Sequence, residues 1–229
     1  MNDDILFGEI WSREAELSAH DRSIITVPAL ISGGNFEQLT YHLQKAKQNG
    51  VTRLGLSAQY DFRDFVLNPK RSIYLFLRQM IYPELFGNAG KTIWRTTFIA
   101  DYYQKAWNGG ILAFDLYGQV SSKNLPCTLK EELGGINRLR GYYSGRYIDN
   151  DIASTQLEIR QHIAGRFGCA AWIGVGSVFP TISEFNVTKI LPNYGLGLHF
   201  EIKHNVNARV DFGFGKETCG FVFGASAAF

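Results

Sequence analysis

The sequence predicts an all-β fold: a transmembrane antiparallel β-barrel of about twelve strands. Three observations carry the prediction. From Val51 to Phe229 the chain reads as nine segments in which apolar and polar residues alternate, the period of a half-buried strand. The composition holds 24 glycines, 14% aromatics and only 19% charged residues, below the usual quarter. The last segment closes on an aromatic residue, Phe229. A mean hydropathy of -0.10 looks soluble, but a barrel strand alternates lipid-facing and lumen-facing residues, so the average misleads. No run approaches the roughly 18 apolar residues of a transmembrane helix, and spanning backbone that is not helical must close into a barrel.

The first 50 residues are taken as three strands. Ile5–Glu16 and Ser23–Ser32 read as extended, with Pro28 where its missing N–H is tolerated. Phe36–Lys47 places Leu39, Tyr41, Leu43 and Ala46 imperfectly on both periods. A strand there brings the total to twelve, the even count of single-chain bacterial barrels.

Val51–Arg63 sets Thr52, Leu54, Leu56, Ala58 and Tyr60 against Arg53, Ser57, Gln59 and Asp61. Ser72–Ile81 follows. Thr92–Trp107 sets Trp94, Phe98 and Tyr102 against Arg95, Thr97 and Asp101, and Ile111–Val120 sets Leu112, Phe114, Leu116 and Val120 against Asp115, Tyr117 and Gln119. The alternation then stops. Ser121–Asp149 is long, polar and glycine-bearing, and a connection of that length is usually functional. Asp151–Ile163 turns Leu157 and Ile159 outward and Glu158, Arg160 and His162 inward. Cys169–Phe179 carries Gly174 and Gly176. Tyr194–Lys203 and Val206–Gly215 repeat the pattern, with His199, Glu201, Arg209 and Asp211 on the inner side. Phe221, Phe223, Ala225, Ala227 and Phe229 form the outer face of the last strand. Residues 1–229 are read as one domain. A soluble lipocalin-like barrel would reverse the two faces and put every charged wall residue in solvent.

A net charge of +2, without a basic cluster beside a stacking platform, argues against nucleic acid. Cys127, Cys169 and Cys219 are odd in number and far apart, which suits neither a disulfide framework nor a zinc site. No cofactor and no metal are expected. The start, Met1-Asn-Asp-Asp, has no apolar export segment. An exported barrel is then expected to have lost its signal or to be a piece of a longer chain.

The long connection carries Arg138-Leu-Arg-Gly-Tyr142 and Tyr143-Ser-Gly-Arg-Tyr-Ile-Asp149. This resembles the arginine–glycine–aromatic motif in the long sixth extracellular loop of the Omp85 superfamily, outer-membrane barrels that fold or translocate proteins. Tyr60-Asp-Phe-Arg-Asp64 with Asn68-Pro69 is similar to a second motif of that family. Arg209-Val-Asp-Phe-Gly-Phe-Gly215 through Phe229 resembles its last two strands. The resemblance covers Val51–Phe229, about four-fifths of the chain. It implies a short member without the soluble POTRA modules, in the bacterial outer membrane.

The resemblance also implies a loop folded back into the lumen. There Arg140, with Gly141 and Tyr142, would anchor it on acidic wall residues, for which a guanidinium fork is suited. The family's usual aspartate is replaced here by Gly174, within Trp172-Ile-Gly-Val-Gly176, so Asp211 and Glu158 are the expected partners. Tyr60, Asp61, Arg63 and Asp64 are expected to close a strand end, and Phe229 to act as an assembly signal.

The function implied is insertion or translocation of outer-membrane proteins, or service as a membrane subunit of such a complex, through a seam between Ile5–Glu16 and Phe221–Phe229. The alternatives are a narrow or plugged passive channel and an outer-membrane phospholipase. The last needs a serine within reach of a histidine, and Ser177 is predicted on the wrong side for His162 or His199. No catalytic residue and no enzyme activity are therefore expected. The expected partners are membrane lipid, periplasmic or outer-membrane proteins, and unfolded barrel clients.

Overall fold

A computed structural model describes residues 26, 27, 30, 41, 42, 53–84, 92–123, 125 and 129–225. The chain divides into two compact units, Met1–Leu54 with Ile81–Ile93 and Gly55–Met80 with Trp94–Phe229.

In the first unit Thr26, Val27, Leu30, Tyr41 and His42 are helical. Val27 is buried and Leu30, one turn on, is half-buried, the i, i+3 spacing of a helix face. The His42 ring is buried and meets the Tyr41 ring edge-on. This corrects two of the three strands expected before residue 50, Ser23–Ser32 and Phe36–Lys47. Of the latter, Tyr41 and His42 are helical and the other residues lie outside the described ones. Ile5–Glu16 lies outside the described residues.

Among the described residues the sheet has nine strands: β1 (Leu54–Asp61), β2 (Ser72–Tyr82), β3 (Ile93–Trp107), β4 (Gly110–Ser121), β7 (Asp151–Ala164), β8 (Phe167–Phe179), β9 (Leu191–Lys203), β10 (Val206–Gly215) and β11 (Thr218–Gly224). Their spatial order is the order of the chain, β1-β2-β3-β4-β7-β8-β9-β10-β11. Between β4 and β7 the long connection forms a short hairpin of its own, β5 (Glu131–Leu133) with β6 (Tyr147–Asp149). Strands of three residues are too short to leave a periodic trace in the sequence.

Among the described residues the nine-stranded sheet is open, with β1 and β11 as its two edges. This overturns the closed twelve-stranded transmembrane barrel. The three extra strands were to come from the first 50 residues, where the described residues Thr26, Val27, Leu30, Tyr41 and His42 are helical. The insertion or translocation role, and service as a subunit of such a complex, depended on a closed wall with a seam beside the last strand. The passive channel depended on an enclosed lumen. These readings fall with the closed barrel.

The two faces of the sheet differ sharply. One presents Phe114, Leu157, Ile173, Leu196, Leu198, Phe212, Phe221 and Phe223, exposed by 37–69%. The other buries Asp115, Gln156, Glu158, Asn193, His199, Arg209 and Asp211, all below 7%. A protein folded around an oily centre in water has the opposite arrangement. The small apolar cluster that does form lies under the long connection: Leu133, Leu139 and Tyr142 pack against Ile152 and Leu191. No helix among the described residues is long and apolar enough to cross a membrane, a statement that does not bear on strands.

Candidate functional site

Four neighbouring strands set the floor of the site. Glu158 on β7 stands opposite Trp172 on β8. Trp172 stands opposite Gly195 on β9, and Gly197 on β9 stands opposite Asp211 on β10. The period-two alternation puts these residues on one face, so a carboxylate, an indole, a glycine gap and a second carboxylate form a strip across the sheet.

The chain between β5 and β6 lies on that strip. Arg140 is 0% exposed. Its Nη1 donates to Asp211 Oδ2 at 2.7 Å and its Nη2 donates to Glu158 Oε2. The guanidinium carbon lies 3.6 Å from the Trp172 ring centroid. One planar cation therefore bridges two fully buried carboxylates and stacks on an indole, which a lysine could not do. Trp172 is held by its Nε1, which donates to Asn193 Oδ1 at 2.9 Å. Asn193 Nδ2 donates to the Arg140 carbonyl and to Phe214 O at 3.2 Å.

Close approach of two backbones makes this geometry attainable. Gly141 has φ +103°, and a Cβ there would lie 2.5 Å from the carbonyl carbon of Gly213 on β10. Only glycine satisfies both conditions. Tyr142 then leaves the sheet contact and ties three elements. Its hydroxyl donates to Pro192 O at 2.6 Å and accepts from the Lys216 N–H at 2.7 Å. Thr218 Oγ1 donates to Gly141 O at 2.9 Å. Burial pushes the Tyr142 phenol up, against the pull of the Lys216 N–H.

Other charges complete the arrangement. Arg160 Nε donates to Glu158 Oε1 at 2.6 Å, and Arg209 Nε lies 3.6 Å from Asp211 Oδ2. Arg209 Nη2 also reaches the loop, donating to Ile136 O at 2.9 Å and Asn137 Oδ1 at 2.7 Å. Three guanidiniums thus face two carboxylates, with His199 Nε2 3.8 Å from Asp211 Oδ1. A second lock sits two residues before the first. Arg138 grips Asp115 on β4, Nε to both oxygens at 3.0 Å and Nη2 to Oδ1 at 2.7 Å. Its guanidinium lies 4.6 Å from the Tyr117 ring centroid. Burial works to lower the Arg138 pKa, but the hydrogen bonds and charge of Asp115 outweigh it and raise the value.

The structure therefore brings together Arg140, Gly141, Tyr142, Glu158 and Asp211. Gly174, on β8 opposite Gln156, offers no carboxylate. Sequence reasoning missed Arg138 with Asp115, the stack on Trp172, and the Asn193 brace. The signal for the first was present: Arg138 shares the motif with Arg140, and Asp115 already lay on the polar side of its strand.

Tyr60, Asp61, Arg63 and Asp64 lie apart from this cluster. Asp61 accepts from Arg63 Nε at 2.9 Å and from Nη2 at 2.6 Å, and this bonding raises the Arg63 pKa. Arg63 also lies 4.2 Å from the Tyr74 ring centroid. Asp64 Oδ1 accepts from the Phe65 and Lys70 N–H groups at 3.0 and 2.9 Å, folding the β1–β2 connection. The Tyr60 ring stacks on Phe62. Phe229 and Cys127 lie outside the described residues, while Cys169 and Cys219 are free thiols.

Ser177 Oγ donates to its neighbour Val178 O at 3.5 Å, and no hydrogen bond joins it to a histidine among the described residues. The phospholipase alternative therefore finds no dyad here. The charge lock itself holds chain to chain, and within it Arg140 Nε is buried without a hydrogen-bond partner.

Comparison with known proteins gives two findings. A 4-carboxymuconolactone decarboxylase from Acinetobacter baylyi is 40% identical over 47 residues, 20% of this chain and 34% of that protein. The chain thus spans about a third of the length of that relative, too little to carry an activity across. The Omp85 superfamily domain matches residues 10–229, nearly the whole chain. Membership is consistent with an outer-membrane protein in general, and it accords with the arginine–glycine–aromatic loop and the last strands as they stand here. The chain belongs to the Omp85 superfamily.

Proposed function

We propose that this protein is a non-catalytic component of the bacterial outer membrane whose sheet lies with its apolar face against lipid. The observation that carries the reading is the inversion of the two faces. Apolar side chains of eight positions from Phe114 to Phe223 stand exposed, while carboxylates and guanidiniums are buried. Exposed apolar area on this scale is costly in water and marks a contact surface. The loop from β5 to β6, locked by Arg140 and Arg138, lies on the polar face and supplies partners to Asp115, Glu158 and Asp211. Membrane lipid is the first partner of this reading. Backbone edges cannot sit unpaired in hydrocarbon, so β1 and β11 require strands to pair with, and an adjoining outer-membrane or periplasmic protein is the second partner.

Tryptophan quenching by lipid-borne nitroxides tests the reading. Trp94 and Trp107 are 44% and 47% exposed, and Trp172 is 2% exposed. In single-tryptophan variants reconstituted in bilayers, Trp94 is expected to be quenched strongly by nitroxides on the acyl chain, and Trp172 weakly. Equal, weak quenching of both, with strong quenching by aqueous iodide at Trp94, contradicts lipid contact.

A further inference from the structure

The end of the sheet opposite the long connection contains a cavity that shares Arg160 and His199 with the charge network around the loop lock. It has a volume of about 340 Å³ and is lined by the β1–β2 connection (Asn68, Lys70), the end of β3 with its turn (Lys105, Asn108), the β7–β8 turn (Arg166) and the start of β10 (Asn207). The β1–β2 connection reaches the β9–β10 turn, where the rings of Phe65 and His204 meet edge-on with centroids 6.0 Å apart.

The charged residues of the lining are mostly cations. Lys70, Lys105, Arg160 and Arg166 face a single carboxylate, Glu201. Glu201 is already engaged, with Oε1 accepting from the Asn205 N–H at 2.9 Å. Arg160 is engaged too, through Nε on Glu158 at 2.6 Å. That leaves Lys70, Lys105 and Arg166 as cations with no carboxylate within salt-bridge distance among the described residues. His199 adds an imidazole to the wall, and the side-chain amides of Asn68, Asn108 and Asn207 add neutral donors.

We propose that this cavity binds a phosphate-class anion, either free phosphate or the phosphomonoester of a lipid headgroup. A carboxylate is served by one guanidinium, whereas three cations carried on separate segments suit a tetrahedral dianion with oxygens directed several ways. The volume is at the lower end of small-molecule sites, which admits the phosphate with a short substituent. The site is independent of the lipid reading, since it lies among polar-face residues at the turns and would bind free phosphate in a micelle equally well.

The test is calorimetric titration of the full chain in a non-ionic detergent at low salt. One arm adds inorganic phosphate. The other dopes the micelles with short-chain phosphatidic acid, with phosphatidylcholine as its control. Each cation removed is expected to weaken binding about tenfold, the scale of one charge-assisted hydrogen bond, so Lys105→Gln with Arg166→Gln is expected to weaken it about a hundredfold. Both residues are exposed near turns, and an unchanged thermal transition checks that the fold is kept. Lys203→Gln, at an exposed position outside the cavity, is expected to bind like the parent. Binding of inorganic phosphate that the double substitution abolishes supports a free anion. Binding of phosphatidic acid alone, abolished likewise, supports a headgroup. Absence of binding in both arms, or equal binding by parent and double variant, overturns the proposal.

Discussion

Arg140→Met removes the cation that joins the loop to the sheet. Two charge-assisted hydrogen bonds to fully buried carboxylates are lost, worth roughly 1.5–3 kcal/mol each. A stack on Trp172 at 3.6 Å is lost as well, roughly 2 kcal/mol in a dry setting. Two terms offset this. Burying Arg140 itself had a desolvation cost. The carboxylates also keep partners: Glu158 retains Arg160 at 2.6 Å and Asp211 retains Arg209 at 3.6 Å, so two cations still balance two anions. The net loss of loop docking is about 3 kcal/mol, which corresponds to roughly a hundredfold in the opening equilibrium. Hydrogen exchange reads it directly, because the Lys216 N–H is donated to Tyr142 Oη only while the loop is docked. Exchange at Lys216 is expected to speed up by about that factor, with β7–β8 ladder amides unchanged. Arg140→Lys is expected to fall between, because one ammonium cannot span both carboxylates. Exchange at Lys216 within threefold of the parent in Arg140→Met would refute the view that this residue holds the loop.

Three further substitutions probe the same segment. Gly141→Ala forces a side chain onto a backbone at φ +103° and into Gly213; loss of docking by more than about 2 kcal/mol is expected, read by protease cleavage between β5 and β6. Tyr142→Phe deletes the bond to Pro192 and the acceptor for Lys216, and a loss of roughly 1–2 kcal/mol is expected in the same cleavage assay. Arg138→Met strands the carboxylate of Asp115, 0% exposed, at a cost of roughly 3 kcal/mol in thermal unfolding; Asp115→Asn added to it is expected to recover part of that loss.

Much of the strand layout after residue 51 was legible, because one physical rule governs it. Side chains such as Phe114 and Asp115, or Leu198 and His199, alternate without interruption, and a period of two has few competing explanations. The site was legible in part for the same reason. Glu158 and Asp211 could be placed on the polar side from their neighbours alone, and Arg140 was the nearby cation with a glycine beside it. What the period cannot convey is contact across strands. The juxtaposition of Trp172 with Gly195, which gives the indole its bed, depends on register between β8 and β9. The Arg138–Asp115 pair depends on where a non-repeating loop comes down. Residues such as Val27 and Tyr41 were misread because their segments are short and contain proline or mixed spacing. The even strand number of such barrels then favoured a strand at Phe36–Lys47, where Tyr41 and His42 are helical. The closed barrel itself was expected from the alternation and from the bar on open edges in hydrocarbon, and that strand set its count at twelve.

The central claim is that lipid, not water, covers the apolar face. Spin labels placed one at a time at Leu196, Leu198, Phe200 and Ile202, and at Asn193, His199 and Glu201 on the other side of β9, test it most directly in reconstituted bilayers. The account predicts that labels at Leu196, Leu198 and Phe200 relax with dissolved oxygen and ignore an aqueous nickel chelate, while those on the opposite side do not show this preference. Free access of the nickel chelate to Leu196 and Leu198 would contradict it.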